Sequence, residues 1–139
     1  MWDDDAVVIR RLVDLSMPRL GSHSGAVVPL HTGWDAHRDS DRFFAHPFLD
    51  GDACRRLVAA GVRTVGIDAI NIDETPDGEP DRDAFPCHEA ISRAGGVIVE
   101  NLVGLGAIDF SDPWISVLPL HVPGADGAPT RAVALQLDA

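Results

Sequence analysis

Basic residues are scarce in this 139-residue chain: 11 Lys and Arg stand against 22 Asp and Glu, giving a formal net charge of −11. Nucleic acid and anionic membrane surfaces attract clustered Lys and Arg, so neither is expected as a partner. Long apolar runs are missing too, and no stretch approaches the length of a membrane span. The opening Met-Trp-Asp-Asp-Asp lacks the basic and apolar regions of a secretory signal. Cysteine is limited to Cys54 and Cys87, far apart and outside any CxxC pattern. That argues against a disulfide framework and makes reduced thiols in the cytoplasm the expectation. There is no internal repeat and no low-complexity segment.

What is present is enough apolar material for a core. Hydrophobic residues make up 45% of the chain, and its length suits one domain with a modest interior, 1–139. Val7–Leu15 reads as a strand or a short helix, and Met17–Gly25 as a loop. Ala26–His31 is a buried-strand candidate that Pro29 pushes toward an edge, because proline cannot donate to a sheet ladder. Asp35–Phe48 has no clear periodicity. Asp50-Gly-Asp offers an N-cap to a helix running to about Ala60, with Ala53, Leu57, Val58 and Ala60 on its apolar side and Gly61 at its C-cap. Val62–Ile67 follows at once as a strand.

Glu74–Asp83 is an exposed acidic loop. Pro86 suits the first turn of a second helix through about Ala94, which Gly95-Gly96 ends. Val97–Val99 is a short strand. Ile115–Val122 and Arg131–Leu137 are the last two, and the turn Pro123-Gly-Ala-Asp-Gly between them predicts antiparallel pairing. Helix, glycine, strand is the rhythm of an α/β fold, with a mixed sheet and helices packed on it.

His88 and Glu100 stand out against this background. One falls in the first turn of the second helix and the other at the carboxyl end of the following strand. A helix that returns antiparallel to its strand brings those ends together. Imidazole and carboxylate are both ligands for Zn²⁺ or Mn²⁺, although a catalytic zinc takes about three protein ligands. The competing reading is a helix-start histidine with a local hydrogen bond beside a solvated glutamate. Asp68 and Asp73 flank a strand end and either orient a ligand or cap a turn, capping being the commoner role. Cys87 reads as a small buried thiol and not as a dyad with its neighbour His88, since adjacent helix residues do not face each other. His46-Pro reads as a helix-entry loop. Trp34 and Trp114 read as core or interface, and Arg131 as half of a structural ion pair. His23, His37 and His121 have no evident partner.

Eight short words give these residues a context: His31-Thr-Gly-Trp34, His46-Pro-Phe-Leu49, Ala60-Gly-Val62, Val65-Gly-Ile-Asp68, Asn71-Ile-Asp73, Phe85-Pro-Cys-His88, Val99-Glu-Asn-Leu102 and Pro129-Thr-Arg-Ala132. In this order they resemble the cyclase family, to which bacterial kynurenine formamidases and isatin-hydrolase-like enzymes belong. The likeness runs from about Ala26 to residue 139, with 1–25 matched poorly. It implies a swivelling β/β/α domain, usually oligomeric. It also implies hydrolysis of an amide, an N-formyl or a cyclic one, by metal-activated water, with Zn or Mn as the cofactor. His88 matches the histidine of the family's FPxH word and Glu100 the glutamate of its ExL word, and both contribute to the metal centre there.

The family's H-x-G-T-H-x-D-x-P-x-H signature, which supplies most ligands and a catalytic histidine, has no counterpart here. His31-Thr-Gly-Trp-Asp-Ala-His37 imitates it only loosely and already aligns with the TGW word. Val13-Asp-Leu-Ser16 resembles the strand that precedes the signature, which fits an internal loss; the family-like domain is expected to be truncated on its N-terminal side. Two functions follow. One is an arylformamidase-like hydrolase whose site is completed by another subunit or polypeptide. The other is an inactive remnant serving oligomerisation or small-ligand binding; a plain fragment is the third possibility. The sequence assigns no catalytic residue.

Overall fold

A computed structural model describes residues 27–76, 78–81 and 84–137. The chain divides into two compact units, one reaching Leu105 and the other beginning at Gly106. The stretches Val7–Leu15 and Met17–Gly25 lie outside the described residues.

The first unit is two β-α-β passes. Strand β1 (Val27–Leu30), helix α1 (Gly51–Ala59), strand β2 (Thr64–Ile67), helix α2 (Pro86–Arg93) and strand β3 (Val97–Val99) follow one another. The three strands form a parallel sheet in the order β1-β2-β3. Pro29 lies on β1, an edge strand among the described residues, where its missing N–H costs no central ladder bond. Between β1 and α1 the aperiodic stretch becomes two short 3₁₀ turns, Trp34–His37 and Asp41–Phe44.

Both helices begin and end as their sequences dictate. Asp50 caps α1: its carboxylate accepts from the N–H groups of Asp52 and Ala53 at 3.1 and 3.0 Å. At the other end the Val62 N–H donates to the Leu57 carbonyl and the Gly61 N–H to that of Val58, a Schellman closure with Gly61 at φ 96°. Helix α2 closes identically through Gly95, at φ 68°, and Gly96. Each closure turns the chain straight into the next strand, which is why the α/β rhythm was visible in A-G-V and A-G-G-V. The core lies between helices and sheet, where Leu57, Val65, Ile67, Ile72 and Ile91 are buried together with both cysteines.

The second unit is an antiparallel hairpin, β4 (Trp114–Pro119) with β5 (Thr130–Leu135), Trp114 opposite Leu135 and Pro119 opposite Thr130. The expected mixture of strand directions is present, divided between a parallel sheet and this hairpin and not merged in one sheet. No helix among the described residues is long and apolar enough to cross a membrane.

Candidate functional site at the carboxyl ends of the parallel strands

In a parallel sheet all strands point one way, and the segments leaving their carboxyl ends gather on one edge, the usual place for a site in such folds. Here β1 runs out into His31-Thr32-Gly33, β2 into Asp68 and the turn to Asp73, and β3 into Glu100-Asn101. Helix α2 places His88 in its first turn.

Asp73 organises this edge. Its carboxylate is 1% exposed and accepts from the N–H of Cys87 at 2.8 Å and of His88 at 2.9 Å. Those are N–H groups of the first helical turn, which have no partner inside the helix. The side chain of the N-cap residue itself, Phe85, makes no such bond. Asp73 thus caps α2 from fourteen residues away. The same carboxylate also accepts from Nδ1–H of the His88 ring at 2.8 Å. That bond fixes the tautomer in the neutral ring and leaves Nε2 with a free lone pair, the arrangement in which a carboxylate orients a metal-binding histidine.

Nε2 of His88 lies 3.7 Å from Oε1 of Glu100. Glu100 is held in turn, because Oε1 accepts from the Ile72 N–H at 2.8 Å. The convergence read from the sequence is what the fold produces. Ligand bonds of about 2.1 Å place two donors on one cation no more than about 4.2 Å apart, so the pair suits a divalent ion in donor type and spacing. In number it does not: among the described residues no group of three His, Cys, Asp or Glu side chains could hold a metal. Two donors are a part of a coordination shell.

Asp68 plays a similar organising role one strand over. It is fully buried and takes the Thr32 hydroxyl at 2.6 Å, the Thr32 N–H at 2.9 Å and the Gly33 N–H at 2.8 Å. His31, half exposed, holds Nε2 at 4.0 Å from that carboxylate. Capping and turn-fixing, the commoner expectation for both aspartates, is therefore what they do, and Asp73 adds the hold on His88. Sequence spacing could not reveal either contact, since the partners of Asp68 lie 35 and 36 residues away.

The other candidates fall as follows. Cys87 is fully buried, its thiol donating to the Leu49 carbonyl at 3.3 Å, and Cys54 is its buried neighbour on α1. The Cys87 thiol is pushed up by its hydrogen bond with Cys54 and by burial, the opposite of an activated nucleophile. His46 is buried, its Nδ1–H donating to the Pro47 carbonyl at 2.9 Å while Nε2 accepts from the Thr75 hydroxyl at 2.8 Å. Trp34 is core and its indole N–H donates to the Phe43 carbonyl at 3.1 Å. His37 packs edge-on against Trp34. Trp114 is 63% exposed on the hairpin. Arg131 is an exposed residue of β5, opposite Leu118. His121 is exposed, and His23 lies outside the described residues.

A parallel three-stranded sheet with its polar side chains gathered at the strand ends, plus a separate hairpin, is a cyclase-like α/β architecture. Comparison with known proteins agrees. The model of the putative cyclase family matches residues 7–74, which takes in Val13–Ser16 and stops before His88 and Glu100. The kynurenine formamidase of Maricaulis maris is 40% identical over 89 residues, 64% of this chain and 40% of that protein. An isatin hydrolase bound to the product analogue thioisatinate superposes with a TM-score of 0.78, at 22% identity, over 93% of this chain and 52% of that one. A protein described as a predicted metal-dependent hydrolase from Bacillus stearothermophilus gives a TM-score of 0.51 at 24% identity, over 78% of this chain and 60% of that one. At these identities the structural matches establish the fold. Over these parts the chain is similar to members of the cyclase family. It spans 40% of the length of the Maricaulis maris formamidase it resembles.

Proposed function

We propose that the chain forms part of a metal-dependent hydrolase that cleaves an amide C–N bond, of an N-formyl amide or a cyclic amide. The observation that carries this reading is the Asp73–His88–Glu100 arrangement, an imidazole held by a buried carboxylate with its free nitrogen 3.7 Å from a second carboxylate. His88 Nε2 and Glu100 supply two ligands to a zinc or manganese ion. The remaining donors and the general base come from another segment or from a second copy of the chain in a homo-oligomer. Such an ion lowers the pKa of bound water and polarises the amide carbonyl. The contribution of this chain's own residues is to fix the imidazole tautomer and the carboxylate position. The kynurenine formamidase relatives support a formyl-amide substrate, and the cytoplasm is the compartment proposed.

A second reading is favoured by one observation, that only two donors converge among the described residues: a non-catalytic cyclase-like domain for oligomerisation or small-ligand binding. One experiment separates the two. The purified chain is titrated with zinc and with manganese, its bound metal is quantified, and N-formylkynurenine hydrolysis is followed with and without metal. The hydrolase reading expects stoichiometric metal, metal-dependent turnover, and at least roughly tenfold weaker metal binding in His88→Ala. Substoichiometric metal with no turnover overturns the hydrolase reading for the chain by itself and leaves the non-catalytic reading standing.

A further inference from the structure

The segment that leaves β1 does more than end a strand. Pinned by Asp68 through Thr32 and Gly33, it crosses the end of the central strand β2 and reaches the loop that follows Glu100. Two bonds fasten it there. The Arg38 Nη2–H donates to the Asn101 carbonyl at 2.7 Å, and the Gly104 N–H donates to the Asp35 carboxylate at 3.0 Å. Asn101, the residue after Glu100, has φ 59°, a left-handed conformation that its own N–H bond to the Ala69 carbonyl, at 2.9 Å, helps to hold. Arg38 is therefore fastened to the loop that leaves Glu100, at the carbonyl of the next residue, on a segment fixed at both ends.

Arg38 is exposed, and in a chain of net charge −11 it has no carboxylate partner among the described residues. A guanidinium has five N–H donors in a planar fork. One is used on Asn101, and the cation also lies 5.8 Å from the Phe43 ring centroid. Both contacts restrict the side chain while leaving donors for solvent or a ligand. A planar, pre-positioned guanidinium is suited to bidentate recognition of a carboxylate.

We propose that Arg38, fastened to the loop that leaves Glu100, is a specificity-determining residue that receives a carboxylate carried by the amide substrate. The inference rests on the hydrolase reading for its substrate, and its test is a binding measurement that needs neither metal nor turnover. The full chain, freed of metal with chelator, is titrated with 2-aminobenzoate and with aniline, two probes that differ by the carboxylate. Wild type is expected to bind 2-aminobenzoate about ten times or more tighter than aniline, the weight of a charge-assisted hydrogen-bond pair. In Arg38→Gln the ratio falls to near one, and Arg38→Lys keeps part of it because charge remains without the fork. Circular dichroism shows whether each variant is folded. A ratio near one in wild type, a ratio that survives Arg38→Gln, or no binding of either probe at millimolar concentration overturns the proposal. Absent turnover with an intact binding ratio counts against the hydrolase reading and leaves Arg38 as an anion-recognition residue.

Discussion

Asp73 and His88, fifteen residues apart, share a 2.8 Å hydrogen bond in which the ring N–H of one donates to the buried carboxylate of the other. Because the same carboxylate caps α2, the stability of the helix and the orientation of the imidazole depend on one side chain.

Replacing Asp73 should accordingly register in two measurements. Asp73→Ala strands the Cys87 and His88 N–H groups and frees the ring, for a loss of about 2–4 kcal/mol by denaturant unfolding. Asp73→Asn keeps an acceptor oxygen and should cost less, yet still weaken zinc binding about 10- to 100-fold, the usual effect of losing a carboxylate behind a metal-binding histidine. Equal zinc affinity in Asp73→Asn and wild type would remove the orienting role.

Asp68→Ala is expected to destabilise the first unit by about 3 kcal/mol or more. Three donors, the Thr32 N–H and hydroxyl and the Gly33 N–H, lose their buried acceptor together. The His31–Arg38 segment should loosen before the core does, seen as faster amide exchange at Thr32 and Gly33. Unchanged exchange there would show that the segment is held by other contacts.

Two glycines differ in a way that substitution can test. A Cβ on Gly96 would fall onto the Arg63 carbonyl oxygen and within 2.7 Å of Ile91 Cγ2, whereas one on Gly66 meets the end of the Leu102 side chain at 2.7 Å. Backbone cannot swing aside as a leucine methyl can. Gly96→Ala should cost about 1–3 kcal/mol and Gly66→Ala clearly less, in parallel thermal melts. The reverse order would mean that the α2–β3 closure is more pliable than its backbone packing implies.

Alkaline pH should weaken the fold through Cys87. Its thiol titrates above its ordinary value of 9.0, through the hydrogen bond with Cys54 and burial, so the unfolded chain releases this proton first. Stability from this group is whole below about pH 9 and declines above it; Cys54, lowered by the same bond, acts in the opposite sense, so the net slope is shallower than the roughly 1.4 kcal/mol per pH unit of one isolated group. Urea unfolding at pH 8, 9 and 10 measures the slope, and Cys87→Ser should flatten it. Native protein should also resist iodoacetamide at pH 8 until denatured.

Much of the local structure was legible in the residues. Asp50, Gly61, Pro86 and Gly95-Gly96 act within a few positions of themselves, so helix starts and stops were read almost where they fall. The Asp35–Phe48 stretch was not, because its two 3₁₀ turns are held by contacts such as Trp34 to Phe43 and not by periodicity. His88 and Glu100 were found through the FPxH and ExL words and the geometry of a helix returning to its strand. Asp73 was noticed as a residue that orients a ligand or caps a turn, but without its partners, since nothing in its neighbourhood points fourteen residues ahead.

The sequence by itself determined the acidic charge, the α/β rhythm, the capped helices and the two residues to watch. Each of these follows from composition, or from forces acting within one or two turns of chain. Only the tertiary structure decided that Asp73 holds His88, that Asp68 anchors the segment leaving β1, and that Arg38 bonds the carbonyl of Asn101. Those contacts join residues 15 to 63 positions apart, and they exist because parallel strands deliver their carboxyl ends to one edge.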